Sequence, residues 1–231
     1  MKNLLLRATS SLAVLSACAV MGAPAHAQDE APSVSYNVAV TNDYVWRGFS
    51  QSDENVAFQG GIDFAAGNFY AGTWASTVDF GDDTDAEWDF YAGVTGTAGV
   101  IDWDVAVAFY TYVNAPSGSD YNFVEFKAVA SHTIDNLTLG AAIHYSPDFY
   151  GADETATYVE VNGEYAFNDR FSLSGGLGRQ TLDVGDDYNS WNLGLGVNLT
   201  EIVSLDVRYW DASVDGPLSD ARLAATLGVA F

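Results

Sequence analysis

Few residues of this chain have the types and spacing that catalysis requires. His144 is followed two positions later by Ser146, and a histidine beside a serine can activate it when an acid or amide orients the ring. Two residues on one face of one strand do not make such a triad, so we interpret His132 and His144 as members of hydrogen-bond networks. No Gly-x-Ser-x-Gly, His-Glu-x-x-His or phosphate-binding loop motif occurs. We therefore predict no enzymatic activity and no catalytic residue.

Clustered aspartates are the second set of residues with chemical potential. Residues 81–85 are Gly-Asp-Asp-Thr-Asp, and residues 185–187 are Gly-Asp-Asp. Carboxylate oxygens bind divalent cations, but acidic loops of this kind are more often simply solvated. We favour the solvated interpretation, and we predict neither a metal site nor a cofactor.

The N-terminus predicts export from the cytoplasm. Lys2 and Arg7 precede an apolar stretch, and residues 25–27, Ala-His-Ala, form an A-x-A cleavage site. These three parts in this order are typical of a secretory signal peptide. We predict that residues 1–27 are cleaved and that residues 28–231 form one domain. Lipidation at Cys18, within Leu-Ser-Ala-Cys, is the alternative.

The composition excludes several classes of protein. Cys18 is the only cysteine, so the predicted mature chain has no disulfide and no cysteine metal ligand. Loss of Lys2 and Arg7 leaves 6 of the 8 basic residues against 31 acidic residues, which argues against a nucleic-acid partner. With 48% hydrophobic and 14% aromatic residues, the chain is too apolar to be disordered.

Hydrophobic residues recur at every second position. From Val34 to Trp46 the even positions are mostly apolar, and from Ser35 to Arg47 the odd positions are mostly small or polar. In a strand these two sets lie on opposite faces. The alternation recurs in segments that begin near residues 56, 88, 101, 137, 159, 191, 203 and 223. Segments 68–80, 121–133 and 170–180 fit less well, and Arg179 on the apolar parity suggests a bulge or a strand end.

The segments amount to about 12 predicted strands with two alternating kinds of connection. Tight turns are predicted near residues 66–68, 98–99, 135–136, 168–169 and 200–201. Longer acidic loops are predicted near residues 48–54, 81–86, 113–120, 147–154, 181–187 and 211–217. An even number of strands with short periplasmic turns and longer outer loops is typical of an antiparallel, up-and-down transmembrane β-barrel.

The apolar face could be the core of a soluble sandwich or could face lipid, and three observations favour lipid. The polar face combines small residues with charges, as a watery lumen requires. The final strand pattern runs to Phe231, and a barrel in lipid must pair its last strand with its first. Aromatic residues gather at strand ends as two interfacial girdles: Tyr44, Trp46, Trp88, Tyr145, Trp191 and Tyr209 toward the loops, and Phe64, Phe69, Phe167, Phe171 and Phe231 toward the turns.

Several runs of residues resemble a known family. Residues 42–52 are Asn-Asp-Tyr-Val-Trp-Arg-Gly-Phe-Ser-Gln-Ser, residues 67–76 are Gly-Asn-Phe-Tyr-Ala-Gly-Thr-Trp-Ala-Ser, residues 87–93 are Glu-Trp-Asp-Phe-Tyr-Ala-Gly, and residues 110–112 are Tyr-Thr-Tyr. This pattern resembles the TorF family of proteobacterial porin-type proteins, most closely from about residue 36 to 125. The resemblance implies an outer-membrane barrel with a pore role, and it carries over no substrate and no catalytic residue.

Charged residues on the polar parity are the predicted pore lining. Rings of charged side chains set ion preference in pores, and the acids here outnumber the bases, so the lumen should prefer cations. Arg47, beside Gly48, has two interpretations: a structural ion pair inside the barrel, or a charge at the constriction. The predicted lumen residues are Asp43, Arg47, Asp63, Glu87, Asp89, Asp102, Asp104, Glu125, Lys127, Glu160, Glu164, Asp206, Arg208 and Arg222.

Together these patterns predict a bacterial outer-membrane, porin-like channel for passive diffusion of small solutes or ions. The alternative is a non-conducting structural or interaction barrel that acts through its acidic loops. The expected partners are outer-membrane lipid and the barrel-assembly machinery, which would recognise Phe231. Twelve strands lie between the filled eight-stranded barrels and the open sixteen-stranded ones, so the pattern permits both a narrow pore and a plugged one.

Overall fold

The computed structural model describes residues 31–151 and 153–231. The predicted signal peptide, its cleavage site and Cys18 lie outside these residues. Within them, no helix is long and apolar enough to cross a membrane.

Twelve antiparallel strands of the described residues close into one barrel, as predicted. Each strand pairs with its neighbour in sequence, and β1 pairs with both β4 and β14. Two further short strands, β2 and β3, pair only with each other. The bounds are β1 Ser33–Thr41, β2 Val45–Trp46, β3 Phe49–Ser50, β4 Ala57–Ala66, β5 Phe69–Thr77, β6 Ala86–Ala98, β7 Ile101–Val113, β8 Phe123–Ile134, β9 Leu137–Ser146, β10 Ala156–Ala166, β11 Phe171–Leu182, β12 Tyr188–Asn198, β13 Val203–Ala212 and β14 Arg222–Ala230.

The connections alternate in length, which confirms the predicted up-and-down topology. Short turns join the strands at one end of the barrel, at residues 67–68, 99–100, 135–136, 167–170 and 199–202. We call this the turn end. Longer connections lie at the opposite loop end, at residues 42–56, 78–85, 114–122, 147–155, 183–187 and 213–221. The connection at 147–155 contains a single 3-10 turn, Phe149–Gly151.

The side chains alternate between the outside and the lumen, as the sequence period requires. On β10, Val159 and Val161 are exposed on the outer surface at 44% and 56%, whereas Tyr158 is 4% exposed inside the barrel. Most of the predicted girdle aromatics, including Trp88, Phe69 and Phe167, are exposed on the outside. An apolar exterior around a polar interior is the arrangement that a bilayer favours.

The first strand is shorter than the sequence period predicts. The prediction extended it to Trp46 and placed residues 48–54 in an outer loop, but β1 ends at Thr41 and residues 43–55 fold into the lumen. Tyr44 and Trp46 are therefore not girdle residues: Tyr44 is 3% exposed, and Trp46 packs against aromatic residues of the interior. The apolar period continued beyond the wall because these side chains are also buried, among protein groups rather than in lipid.

The suspected irregularity at Arg179 is also absent. The pairing of β10 with β11 continues without interruption through Val159 and Arg179 to Ala156 and Leu182, so neither a bulge nor a strand end occurs there. The Arg179 side chain lies on the outer surface near the loop end and forms an exposed ion pair with Asp187 at 2.9 Å. A charge is tolerated on the apolar parity at this position because Arg179, although inside β11, lies three residues from its end and pairs with Asp187 of the acidic loop.

The last residue closes the barrel seam. Tyr36 and Phe231 exchange two backbone hydrogen bonds, of 2.8 and 2.9 Å, and their rings stack with centroids 6.0 Å apart. Phe231 thus extends the pairing of β14 with β1 beyond Ala230. Its side chain remains 66% exposed at the turn end.

A charge introduced at the middle of the outer surface should destabilise the barrel in lipid. Val161 lies near the centre of β10, and Val161→Arg should cost about 2–4 kcal/mol, as expected for arginine facing the bilayer midplane. The control is Asn162→Arg, because residue 162 faces the lumen beside Glu160. Urea unfolding of protein refolded into phospholipid vesicles measures both. Equal losses for the two variants would show that the two faces are assigned wrongly.

Candidate functional site in the barrel lumen

The chain leaves the barrel wall at Asn42. The Asn42 side chain donates a hydrogen bond to the Leu223 carbonyl at 3.2 Å and accepts one from the Ala225 amide, so it completes the pairing with β14. The following residues, 43–55, turn into the lumen and carry β2 and β3. We call residues 43–55 the lumen hairpin.

A tight turn brings the tip of the lumen hairpin to the opposite wall. Its two central residues, Arg47 and Gly48, have φ angles of 50° and 91°, and two-residue hairpins of type I′ require positive φ at both. A Cβ at Gly48 would lie 3.1 Å from Ala212 Cβ and 3.2 Å from Ser190 Cβ. Glycine at residue 48 therefore permits both the turn and its close approach to β12 and β13.

Arg47 occupies a seat built by four strands of the wall. Its Nη2 donates to both carboxylate oxygens of Glu125 on β8, at 2.8 and 2.9 Å, and its Nη1 donates to Gln180 Oε1 on β11 at 3.3 Å. The guanidinium carbon lies 4.3 Å from the ring centroid of Tyr158 on β10 and 4.3 Å from that of Trp46. His144 Nδ1 on β9 lies 2.8 Å from Glu125 Oε1. The structural ion pair considered for Arg47 is thus present.

The base of the lumen hairpin has its own ionic anchor. Asp43 accepts hydrogen bonds from Ser50 Oγ at 2.6 Å and Ser52 Oγ at 3.3 Å, which join the two arms of the hairpin. Arg222 on β14 lies 3.2 Å from the other Asp43 oxygen. The Ser50 amide donates to the Leu218 carbonyl at 2.8 Å, which ties the hairpin to the loop above it.

Aromatic rings fill the space between the lumen hairpin and the β7–β8 wall. Trp46 lies 6.1 Å from the ring centroid of Tyr110, 6.4 Å from that of Phe123 and 6.1 Å from that of Phe149. Tyr110 and Phe123 stack at 4.4 Å. Tyr150, in the 3-10 turn, contacts Trp46 from the loop end. The pKa of the Tyr150 phenol is raised, mainly because the side chain is buried. The loop half of the lumen is therefore packed like a protein core.

Two buried carboxylates lie beside this packing. Glu87 accepts hydrogen bonds from the hydroxyls of Tyr44 and Tyr112, both at 2.8 Å. Asp89, the next lumen residue of β6, is 8% exposed, and its Oδ1 has no hydrogen-bond partner among the described residues. Tyr44 thus joins the hairpin to a second acidic part of the wall, on β6, two strands from Glu125 of the Arg47 seat.

The turn half of the lumen is open by comparison. Glu164, Asn162 and Thr133 face the interior there and are exposed to solvent, whereas the lumen residues near the loop end, such as Ser146 and Gln180, are almost completely buried. The lumen is therefore more accessible along the turn-end parts of β8 and β10 than at the loop end, although Tyr70, Thr95 and Ser204, also toward the turn end, are less than 9% exposed.

The structure places all fourteen sequence-predicted lumen residues inside the barrel. Asp43 and Arg47 reach it through the hairpin rather than through strand alternation. Within the described residues, each of the four cations pairs with a predicted carboxylate: Arg47 with Glu125, Lys127 with Asp104 at 2.8 Å, Arg208 with Asp206 at 3.0 Å, and Arg222 with Asp43. The remaining six carboxylates have no basic partner in these pairs: Asp63, Glu87, Asp89, Asp102, Glu160 and Glu164. Whether these residues line a conducting pore stays a prediction.

Sequence reasoning missed the uncharged residues of the Arg47 seat. Gln180 and Tyr158 were not selected, because neither carries a charge and each lies on its expected parity. Gly178 could have indicated the position of Tyr158, because a Cβ at residue 178 would collide with the Tyr158 ring. Glycines on the polar parity thus indicate large side chains that lie across the wall as well as limited space in the lumen.

The considered hydrolase arrangement does not form. His144 is hydrogen-bonded to Glu125, and the Ser146 hydroxyl has no hydrogen-bond partner among the described residues. Within residues 31–151 and 153–231, no three histidine, aspartate or glutamate side chains converge in a way that could hold a metal ion.

A closed twelve-stranded antiparallel barrel with an apolar exterior and a charged interior has the architecture of a transmembrane β-barrel. The chain belongs to the family described as "Bacterial protein of unknown function (Gcw_chp)", whose profile matches residues 25–229. This match does not extend to the TorF name, which stays a prediction. No sequence among curated proteins matches the chain.

Solved structures with the same fold are porins and a channel. The KdgM porin is 10% identical and aligns with a TM-score of 0.57 over 87% of this chain and 98% of that one. The NanC porin is 10% identical, with a TM-score of 0.56 over 86% and 99% of the two chains. The COG4313 outer-membrane channel from Pseudomonas putida F1 is 11% identical, with a TM-score of 0.55 over 90% and 99%. Identities this low show a shared fold and no more than that.

Removal of the Arg47 side chain should loosen the lumen hairpin. Arg47→Ala leaves Glu125 buried without its main cationic partner, and breaking a buried pair in this way costs about 3–5 kcal/mol. The control is Arg179→Ala, which breaks a pair whose side chains are 49% and 38% exposed and should cost no more than about 1 kcal/mol. Urea unfolding and protease cleavage within residues 43–55 measure the two effects. A loss no larger than that of the control would contradict the anchoring role.

Proposed function

We propose that this protein is a porin-like channel of the bacterial outer membrane for passive diffusion of small solutes or ions, with a preference for cations. The observation that carries the proposal is the charged inner face of a closed barrel whose outer face is apolar. The fold that it shares with porins and a channel supports the same function. Export through a cleaved signal peptide and recognition of Phe231 by the assembly machinery belong to this proposal.

The lumen hairpin would be the narrowest part of the pathway. On β10, the lumen residues Glu164 and Asn162 are exposed to solvent, Glu160 is half-buried and Tyr158 is buried. A solute that continues toward the loop end meets Arg47 and the rings around Trp46. Passage therefore requires movement of the hairpin or of its side chains.

The balance of charge supports the preference for cations. The four lumen cations are each neutralised by a carboxylate within 3.2 Å, so their positive charge is compensated locally. Asp102, Glu160 and Glu164 face the turn half. Asp102 accepts a hydrogen bond from Thr97, and Glu160 accepts hydrogen bonds from Tyr158 and Asn162, all neutral groups. Low-dielectric walls lined by one sign of charge concentrate the opposite ion.

The packed loop half also supports the second candidate function, a non-conducting barrel that acts through its acidic loops. Rings in contact around Trp46 and Phe123 are typical of a structural core. The two candidates differ in one measurable property, because only a channel gives conductance steps in a planar bilayer. A variant in which a short Gly-Ser linker replaces residues 44–54 tests the barrel wall without the hairpin. Silence of both this variant and the wild-type protein would favour the non-conducting barrel.

Neutralising the open-half carboxylates should reduce ion selectivity. The triple variant Asp102→Asn, Glu160→Gln, Glu164→Gln should shift the reversal potential in a KCl gradient toward zero, whereas the wild-type protein should favour potassium. A matched triple variant neutralises Asp83, Asp120 and Asp186 in the loops. That control should change little at salt near 1 M, where the screening length is about 3 Å. Anion preference of the wild-type channel would refute the charge argument.

Locking the lumen hairpin should close the channel. In Gly48→Cys, Ser190→Cys the Cβ atoms would lie 3.2 Å apart, a few tenths of an ångström below the usual disulfide range of about 3.5–4.5 Å. Cys18, the only native cysteine, lies in the predicted signal peptide, so no other thiol competes. We expect low conductance when the variant is oxidised and recovery on reduction, with no redox effect in Gly48→Cys alone, which has the same side chain at the positive φ of residue 48. Equal conductance in both redox states would show that the hairpin is not the constriction.

A further inference from the structure

The seat of Arg47 joins two different parts of the molecule, the barrel wall and the lumen hairpin, which suggests more than an internal ion pair. Three of the groups that receive the guanidinium lie on strands of the wall: Glu125 on β8, Tyr158 on β10 and Gln180 on β11. The occupant itself comes from residues 43–55, which are not part of the barrel sheet. Glu125, Tyr158 and Gln180 thus belong to the closed barrel sheet, whereas Arg47 belongs to a separate segment of the chain.

Two of the three wall groups, Tyr158 and Glu125, are held by contacts that do not involve Arg47. Tyr158 is hydrogen-bonded through its hydroxyl to Ser190 Oγ at 3.0 Å and to Glu160 Oε2 at 3.1 Å, and its ring lies over Gly178. Glu125 is held by His144 at 2.8 Å. The carboxylate and the ring face would therefore keep their positions if the hairpin withdrew.

The chemistry of the seat is specific for a guanidinium group. A planar cation can lie on the Tyr158 ring and, at the same time, donate from its edge to Glu125 and Gln180, whereas a compact ammonium group has neither the flat face nor the spread of donors. Gln180 is 1% exposed, and its Nε2 has no hydrogen-bond partner among the described residues. This buried donor remains available for an oxygen acceptor carried by the same ligand.

We propose that Glu125, Tyr158 and Gln180 form a guanidinium-binding subsite, which Arg47 fills in the resting protein and which a solute bearing a guanidinium group occupies in its place during passage. The inference that a solute passes through this subsite rests on the proposed channel function. The inference that the subsite binds a guanidinium group does not. Arg47 acts as an internal mimic of the solute. Competition between the two for one seat couples the arrival of the solute to release of the hairpin.

The first experiment tests binding without transport. Arg47→Gly empties the seat and suits the positive φ of residue 47, so the hairpin turn is retained. Methylguanidinium at millimolar concentration should raise the urea midpoint of this variant in detergent micelles, whereas methylammonium and neutral methylurea should not. The same probe should have no such effect on the wild-type protein, or on Arg47→Gly combined with Gln180→Leu or with Tyr158→Leu. Equal shifts with methylguanidinium and methylammonium, or a shift that survives both combinations, would overturn the subsite.

The second experiment tests passage. Proteoliposomes of the wild-type protein should take up L-arginine several-fold faster than L-lysine, and neutral L-citrulline more slowly than either. Gln180→Leu should bring the arginine and lysine rates together, and Gln59→Leu, at a lumen glutamine outside the subsite, should leave their ratio unchanged. Equal uptake of arginine and lysine by the wild-type protein would overturn the inference and leave the channel in place. Uptake of none of the three would overturn the channel and passage, while the methylguanidinium titration still decides whether the subsite exists.

Discussion

The architecture depends on one constraint, that a sheet surrounded by hydrocarbon must have no unpaired edge. The chain satisfies it by pairing β1 with β4 on one side and β14 on the other. The seam is completed at the turn end by the backbone of Phe231 and near the loop end by the side chain of Asn42. Because the wall is complete at Asn42, the residues that follow have no edge to cover and can enter the lumen.

The interior is organised by the cost of burying charge. A buried ion is tolerated only when a partner and hydrogen bonds replace its lost water, and the four lumen cations each have a carboxylate within 3.2 Å. Carboxylates without a basic partner are accommodated in two ways. Glu87 receives two tyrosine hydroxyls in the packed half, while Glu164 faces the solvent-exposed half. The same rule thus accounts for both the dense loop half and the acidic turn half.

The sequence predicted the wall better than its contents, and the reason is physical. Period-two alternation reports which residues are apolar, so the barrel strands, their count and the two kinds of connection could be inferred from it. It does not report whether an apolar residue meets lipid or another side chain, and therefore Tyr44 and Trp46 were assigned to the outside. The ion pairs of Arg47 and Asp43 join residues far apart in the chain, and no local pattern encodes them. The charged lumen residues could be predicted because a charged side chain in a strand of this barrel is disfavoured on the lipid-facing side. Neutral Gln180 is not distinguished from other polar residues in this way.

The position of the lumen hairpin in the chain has a consequence for the order of assembly. Arg47 is separated from its partners Glu125 and Gln180 by 78 and 133 residues, and contacts between such distant segments form late because long loops must first be closed. The seat for Arg47 exists only once β8 to β11 stand side by side. During assembly the barrel wall from β8 to β11 must therefore form before the lumen hairpin can dock inside it. The lumen hairpin, although it follows β1, therefore reaches its final place only after β8 to β11 have paired.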